Sequence, residues 1–512
     1  MLSNIQSILK NKSKLLIICL ILISAISFLT YFYNYVNPSN LFWDENYHIA
    51  SAYKYINHVF FMEPHPPLGK LFIAWGEQLF QSNNKLDTSS FAVTDYIKDI
   101  PNGFSFVGVR FFPALFGALS GPLFFLILYL LFPNVVLAFF FSFLYLFDNA
   151  IIVHSRGAML DSSGIFFSLL VVLYFIVLQK KKIIPIASYG ILGILTGLVL
   201  SVKINGIIFG MLFLFLLVKE IKYKMSLREE KRRSNLDGIA TLSRQGGIAH
   251  NDIQIIQKTI LYVLGVVVIF CVVYYIHISN GRNVMDNKYY EASERLKNVL
   301  AVHQTATVSN FPFQLIEHLF FIPHYEKGVP VLDVCKPDEN GSHPLTWPLG
   351  NKSINYRWEK DGTEVRYLYL QGNPIIWGIG FVGILFSLVL FISRLVFKLS
   401  IKNNSIFLSI LPFTSLYVVY MGLTLSLPRV LYLYHYFTPL IFSFILAYLQ
   451  FIYIFENKIK KKSKCLILGV VVTAVVVVAA FILFSPFTYY LSLTQKQFQL
   501  RNWFSWWHLK AI

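Results

Sequence analysis

Residues 15–34 read LLIICLILISAISFLTYFYN, a run of twenty residues without a charged side chain. An apolar run of this length is long enough for a helix to cross the hydrocarbon core of a bilayer. Lys10, Lys12 and Lys14 precede the run and no convincing small-residue cleavage site follows it, so we expect a retained signal-anchor helix. The stretch therefore predicts an integral membrane protein.

The composition of the whole chain agrees with that prediction. Of 512 residues, 56% are hydrophobic and 14% are charged, whereas soluble domains are about a quarter charged. The formal charge of +18 comes from short basic clusters between apolar runs, which are typical of cytoplasmic loops, so we expect no nucleic-acid partner. No CxxC spacing occurs, so the cysteines predict neither a disulfide framework nor a zinc site; they are Cys19, Cys271, Cys335 and Cys465.

Eleven apolar runs are candidates for membrane-spanning helices, and they predict an all-α polytopic membrane protein. The runs are 15–34, 106–131, 134–153, 162–179, 184–201, 204–218, 259–277, 375–396, 405–425, 430–454 and 465–485. With the N-terminus inside, every strongly basic loop falls on the cytoplasmic side; these loops are 180–182, 219–233, 394–402 and 458–464. Three segments then lie outside: 35–105, 278–374 and the tail after 486.

This threading divides the chain into three regions. Residues 1–277 form an N-terminal transmembrane region that contains the first outer loop, 35–105; the ionisable residues of that loop, described next, make it the candidate catalytic region. Residues 278–374 form an extracytoplasmic loop region, and residues 375–512 form a four-helix-type transmembrane region with an outer tail. The polar segment 219–258 is expected to be a flexible cytoplasmic loop with a helical part.

The first outer loop carries an unusual set of ionisable residues. Phe42-Trp43-Asp44-Glu45-Asn46-Tyr47-His48 follows the first run, and Glu63-Pro64-His65-Pro66-Pro67 comes shortly after. The apolar spacing after Asp44 predicts a helix with Asp44 as its N-cap, and residues 68–80 predict a second amphipathic helix. We expect both helices to lie along the membrane surface.

Asp44 and Glu45 allow three interpretations. They form a helix cap beside a solvated acid, or they include a general base that deprotonates an attacking hydroxyl, or they bind a divalent cation that holds a phosphate. Burial near lipid raises the proton affinity of a carboxylate, which suits the second interpretation. A divalent cation is accordingly a possible cofactor, and no other cofactor is indicated.

Histidines and cations at the outer ends of helices complete the candidate site. The prolines of His65-Pro66-Pro67 stiffen a loop that aims His65. Outer-face cations either snorkel to lipid headgroups or together bind an anionic lipid phosphate; they are Arg110, Arg156, Lys203 and Arg429. His435 begins a helix on the outer side, where an aromatic belt is the alternative explanation for Tyr434-His435-Tyr436.

The order of these motifs resembles the protein O-mannosyltransferase family over about residues 40 to 440. The motifs that carry the resemblance are Asp44-Glu45, His65-Pro66-Pro67, Arg110-Phe111-Phe112-Pro113 with Phe116-Gly117, Leu146-Phe147-Asp148-Asn149, Ser155-Arg156 with Leu160-Asp161-Ser162, Ser201-Val202-Lys203, Trp347-Pro348, Gly372-Asn373-Pro374-Ile375-Ile376-Trp377 and Tyr434-His435-Tyr436.

The resemblance implies a C-type glycosyltransferase fold and a membrane enzyme. Such an enzyme transfers a sugar, typically mannose, with inversion from a polyprenyl- or dolichyl-phosphate donor to Ser or Thr of a translocated protein. It places the catalytic base at Asp44, and Glu45, His65, Arg156 and Lys203 near the donor or acceptor. Segment 278–374 is too short for the β-trefoil insert of eukaryotic members, which implies a bacterial-type member in the plasma membrane with its site outside, or an endoplasmic reticulum protein if eukaryotic.

Two other functions remain open at this point. A related transferase would use the same donor with lipid A, another lipid or a cell-wall polymer as acceptor. A transporter or lipid flippase would place its acids mid-membrane and break helices at matching places in two halves, whereas these acids collect in outer loops and no internal repeat is present.

Overall fold

The computed structural model describes residues 14–234, 246–285, 292–302, 306–336 and 338–512, with the backbone alone for 227–234 and 246–252. Lys10 and Lys12, and residues 235–245 of the expected cytoplasmic loop, lie outside that part. The described helices are, in chain order, α1 (Lys14–Phe32), α2 (Glu45–Ile56), α3 (Leu68–Phe80), α4 (Ser89–Val93), α5 (Val107–Leu131), α6 (Val135–Phe141), α7 (Phe143–Leu146), α8 (Asn149–Ser155), α9 (Asp161–Gln179), α10 (Ile186–Leu200), α11 (Gly210–Ser234), α12 (Gly246–Asn280), α13 (Glu294–Ala301), α14 (Phe311–Lys327), α15 (Pro374–Leu395), α16 (Asn404–Leu425), α17 (Phe437–Lys460), α18 (Lys464–Tyr489) and α19 (Gln495–Gln499).

All eleven predicted runs are helical, and the multi-pass membrane fold is confirmed. Within the described ranges, nine helices are long and apolar enough to cross a membrane: α1, α5, α9, α11, α12, α15, α16, α17 and α18. The run 134–153 is instead a broken pair, 135–146 and 149–155, bent by 59°. The run 184–201 forms the 15-residue helix α10.

The bend in the broken pair follows from the residue at its corner. Asp148 has an extended backbone and caps α8, because its side chain accepts the N–H of Ile151. The same carboxylate accepts the indole N–H of Trp377 at 2.7 Å. A buried acid with these partners ends one helix and starts the next, which explains why a continuous apolar run is not a straight span.

The two helices predicted in the first outer loop are α2 and α3. Both helices are mostly buried. α3 packs across α5 so closely that a Cβ on Gly76 would lie 2.3 Å from the carbonyl oxygen of Gly108. Only a residue without a side chain permits this approach. The crossing holds the first outer loop against the start of α5.

A small antiparallel sheet is an element that the sequence analysis did not predict. Its strands are β1 (Ile354–Asp361), β2 (Glu364–Leu370) and β3 (Ser492–Leu493), in the order β1-β2-β3. The register of β1 against β2 shifts between Asn355 and Arg357, so that Tyr356 is the extra residue of a bulge. Bulges commonly re-aim a side chain beside a functional site.

Candidate active site

Asp44 occupies the N-cap position of α2, but its side chain caps no helix N–H. Its Oδ2 instead accepts the hydroxyl of Tyr434 at 3.3 Å. Burial raises the pKa of the Asp44 carboxyl above its ordinary value, and the charges of His154 and Lys203 oppose that rise. The carboxylate is therefore half-buried, weakly hydrogen-bonded and a stronger base than a solvated aspartate.

The backbone immediately before Asp44 is strained. Trp43 has φ of 52°, in the left-handed region that bulky residues rarely adopt. Its indole packs against the rings of Tyr356 and Tyr432, with centroids 5.3 and 5.2 Å away. Strain of this kind persists where the surrounding packing enforces it, and here it fixes the start of α2 and so the position of Asp44.

Glu45 is fully buried and forms a bidentate ion pair with Arg110. Arg110 Nε donates to Oε1 at 2.7 Å and Nη2 donates to Oε2 at 2.8 Å. The two Glu45 oxygens also accept the backbone N–H groups of Ala158 and Phe42. Each oxygen thus has two protein donors, so Glu45 holds the loop together and does not face a substrate.

Arg110 has no donor left for a phosphate. Its remaining N–H groups donate to three backbone carbonyls between α1 and α2, those of Val36, Pro38 and Asn40. All five N–H groups of the guanidinium are therefore used within the protein. This geometry favours a structural role for Glu45 and Arg110 over the two sequence-based predictions, a catalytic Glu45 and a phosphate-binding Arg110.

A chain of hydrogen bonds runs beside Asp44. His154 at the end of α8 bonds through Nδ1 to the hydroxyl of Tyr356 at 2.6 Å and through Nε2 to Oδ2 of Asp161 at 2.9 Å. Oδ1 of Asp161 accepts Nζ of Lys203 at 2.6 Å. The chain thus connects Tyr356 in the β1 bulge, Asp161 at the start of α9 and Lys203 after α10. A charge-assisted hydrogen bond to Asp161 holds Lys203 in place.

Tyr434 joins this chain to Asp44. Its ring stacks on the imidazole of His154 with centroids 4.9 Å apart, and Nζ of Lys203 lies 5.5 Å from its centroid. A small cavity of about 20 Å³ opens beside these groups. Polar and charged side chains line much of it: Asp161, Ser168, Lys203, Asn205, Tyr420, Tyr434, His435 and Thr438. Asp44, Lys203 and His435 are the predicted site residues that the structure brings together.

The other predicted residues take separate positions. The side chain of His65 is 38% exposed, yet its Nδ1 is buried without a hydrogen-bond partner in the described chain. Arg156 is 2% exposed and donates to the carbonyls of Thr488 and Tyr33, while Arg429 pairs with Glu326. The hydrogen bonds of Arg156 therefore connect the end of α1 to α18. The ion pair of Arg429 connects the segment before α17 to α14 in the second outer loop.

Sequence reasoning missed three members of the site. Asp161 is the first residue of α9 and makes no capping bond, and its carboxylate instead binds His154 and Lys203. His154 contacts Tyr356, whose position depends on the bulge in β1, and no local sequence pattern indicates that bulge. The nearest sequence signal was that His154 and Asp161 lie seven residues apart at an outer helix junction.

The predicted cation site needs both acids of the Asp44-Glu45 pair. Glu45 is committed to Arg110, so the two carboxylates do not act as a pair while that ion pair is intact. Throughout the described ranges, no three His, Cys, Asp or Glu side chains converge in a group able to hold a metal ion.

Comparison with known families gives two matches that together cover most of the chain. The model described as "Dolichyl-phosphate-mannose-protein mannosyltransferase" matches residues 21–280. The model described as "C-terminal four TMM region of protein-O-mannosyltransferase" matches residues 332–507. The resemblance read from the ordered motifs is confirmed.

Curated relatives align with part of the chain. The chain is 31% identical over 205 residues to Protein O-mannosyl-transferase 2 of Danio rerio, covering 40% of this chain and 26% of that protein. It is 31% identical over 165 residues to Dolichyl-phosphate-mannose--protein mannosyltransferase 4 of Schizosaccharomyces pombe, covering 32% and 20%. These alignments span about a quarter or less of each relative's length.

The fold is also that of a solved structure. A chain of the S. cerevisiae protein O-mannosyltransferase Pmt1-Pmt2 complex bound to the sugar donor superposes with a TM-score of 0.72 at 16% identity. The match covers 96% of this chain and 92% of that one, which shows that the membrane fold is shared. By its two family matches, the chain belongs to the dolichyl-phosphate-mannose-protein mannosyltransferase family.

Proposed function

We propose that this chain is a membrane glycosyltransferase that moves mannose from a polyprenyl- or dolichyl-phosphate donor to Ser or Thr of a protein acceptor. Family membership supports the reaction class. One observation carries the assignment of the base. Of the three acids around the site, Glu45 is paired with Arg110 and Asp161 with Lys203, whereas the Asp44 carboxylate accepts one hydrogen bond within the described chain, from Tyr434.

In the proposed reaction, Asp44 removes the proton of the acceptor hydroxyl as its oxygen attacks the anomeric carbon. The new bond joins that oxygen to the sugar, and the bond between the sugar and the phosphate breaks. The leaving group is the lipid phosphate, and a single displacement inverts the anomeric configuration. Burial favours the neutral form of Asp44 and so strengthens it as a proton acceptor.

Lys203 is the proposed partner of the donor phosphate. It lines the cavity beside Asp44, and Asp161, braced by His154, holds its ammonium group in place. A fixed cation stabilises the negative charge that develops on the leaving phosphate. His435 lines the same cavity and is proposed to contact the donor as well. Arg156 and Arg429 are assigned structural roles, because Arg156 donates to the carbonyls of Thr488 and Tyr33 and Arg429 pairs with Glu326.

Replacing Lys203 tests that role. We expect Lys203→Met to raise the KM for the donor about 10- to 100-fold, because a hydrogen bond to a charged group contributes about 1.5–3 kcal/mol. Lys203→Arg, which keeps the charge, should recover part of the loss. Initial rates at a series of donor concentrations measure the effect, and an unchanged donor KM in Lys203→Met would contradict the assignment.

The acid side of the pH profile reports on Asp44. Because burial raises the folded-state pKa of Asp44, activity should fall with decreasing pH already above the ordinary aspartate pKa of about 3.9. The Tyr434 hydroxyl lowers that pKa by hydrogen bonding to the ionised form. Tyr434→Phe should therefore shift the acid limb of kcat/KM to higher pH, and a shift to lower pH would contradict this arrangement.

The donor and acceptor can be identified directly. The purified chain is offered a panel of radiolabelled polyprenyl- and dolichyl-phosphate sugars with a Ser/Thr peptide, and in parallel with lipid acceptors. Transfer of mannose to the peptide is expected. Transfer to lipid alone would favour the related lipid-directed enzyme. The proposed location is the bacterial plasma membrane with the site on the outer face, or the endoplasmic reticulum membrane in a eukaryote.

A further inference from the structure

A second cavity lies at the other end of the bundle, roughly 30 Å along α17 from Tyr434 at 1.5 Å per residue. Its volume is about 410 Å³, and it lies between α6, α15, α17 and α18. Its walls are mainly apolar, and Phe140, Phe141 and Phe451 form one side. On α18 the lining extends from Ser463 to Val477, about 21 Å.

The end of this cavity near the C-terminus of α17 differs from its apolar walls. α17 loses helical geometry at Phe455, which has φ of −100° and ψ of 15° and lines the cavity. Lys458 also lines the cavity, with its Nζ 5.7 Å from the Phe455 ring centroid. Lys460 is paired with Glu456, whereas no carboxylate in the described chain lies within 4.0 Å of Lys458 Nζ.

We propose that this cavity binds one anionic glycerophospholipid of the cytoplasmic leaflet, with an acyl chain inside and the headgroup on Lys458. The lining is longer than one leaflet, which is half of a hydrocarbon core of about 30 Å. Lys458 and Ser463 of the lining belong to the basic segment 458–464, which the charge distribution places on the cytoplasmic side. Basic pockets between spanning helices on that side suit anionic headgroups. A zwitterionic lipid would fill the apolar part but would not complement the charge.

Gly469 provides the variant that fills the cavity. It lines the wall, and a Cβ built on it meets no atom within 4 Å. Gly422 on α16 is a matched control, because it also faces open space but does not line the cavity. Native mass spectrometry of the full chain in detergent, with added dioleoylphosphatidylglycerol, should show one retained lipid for the wild type and Gly422→Phe. Gly469→Phe should lose it.

A variant of Lys458 and a matched control variant test the contact between the cavity and the lipid headgroup. Lys458→Ala should weaken phosphatidylglycerol binding about fivefold, the effect of one basic residue near an anionic surface. Lys461→Ala, which removes an exposed charge outside the cavity, should bind like the wild type. Dioleoylphosphatidylcholine should bind at least fivefold more weakly than phosphatidylglycerol. Equal binding of the two lipids would overturn the proposal.

A measurement on the unmodified chain covers the case in which Gly469→Phe does not fold. Cys465 lines the cavity and is exposed. Phosphatidylglycerol should slow its alkylation by N-ethylmaleimide, followed by peptide mass spectrometry, while exposed Cys335 reacts at an unchanged rate. Equal protection of both cysteines, or a dimer that Gly469→Phe dissociates, would overturn the lipid assignment.

Discussion

Asp44→Asn is expected to lower mannosyl transfer by about 10³-fold, within the 10²- to 10⁴-fold range of general base catalysis. The substitution keeps the shape of the side chain and its hydrogen bond from Tyr434, but the amide cannot accept the hydroxyl proton. The fall should appear in kcat, because Asp44 acts as the proton is transferred. Single-turnover transfer from a radiolabelled lipid-phosphate mannose to a Ser/Thr peptide measures it.

Two controls separate this loss from misfolding. Asp44 makes no capping bond, so Asp44→Asn should unfold in detergent at the wild-type temperature. Asp87→Asn removes an exposed acid from the same outer loop and should retain full activity. Near-normal turnover by Asp44→Asn would contradict the base assignment, and so would an equal loss in Asp87→Asn.

The membrane fold could be predicted because the length of an apolar run, which adjacent residues alone determine, decides whether a helix can cross the membrane. Each of the eleven apolar runs is helical, since a run in lipid satisfies its backbone hydrogen bonds within itself. The exceptions depend on distant partners. The break at Asp148 requires Trp377, and β1 to β3 bring together segments more than 120 residues apart. No local pattern encodes such pairings.

The site was predictable to the extent that sequence order places residues at the outer ends of helices. Asp44, Lys203 and His435 meet around Tyr434, as their placement implied. What the sequence could not give was the pairing of charges. Two neighbouring acids look equivalent in sequence, yet Glu45 is paired with Arg110, whereas the Asp44 carboxylate accepts the hydroxyl of Tyr434. The distinction comes from how α5 packs beneath the first outer loop.

Breaking the pair of Glu45 and Arg110 should be the most destabilising single change near the site. Glu45→Gln leaves the guanidinium buried beside a neutral amide, and losing one partner of a buried ion pair costs about 3–5 kcal/mol. Both side chains are 0% exposed, so water cannot compensate. We expect a large fall in the unfolding temperature in detergent and a shorter half-life on heating, with activity lost in step with the folded fraction.

The pairing itself is tested by a double-variant cycle. Arg110→Met added to Glu45→Gln removes the uncompensated charge, so the two losses should be less than additive. Asp361→Asn is the control, because it removes one partner of an exposed pair with Arg366 and should barely change the unfolding temperature. A Glu45→Gln protein that is as stable as the wild type but inactive would contradict the structural role. It would return Glu45 to the catalytic role that its position beside Asp44 first indicated.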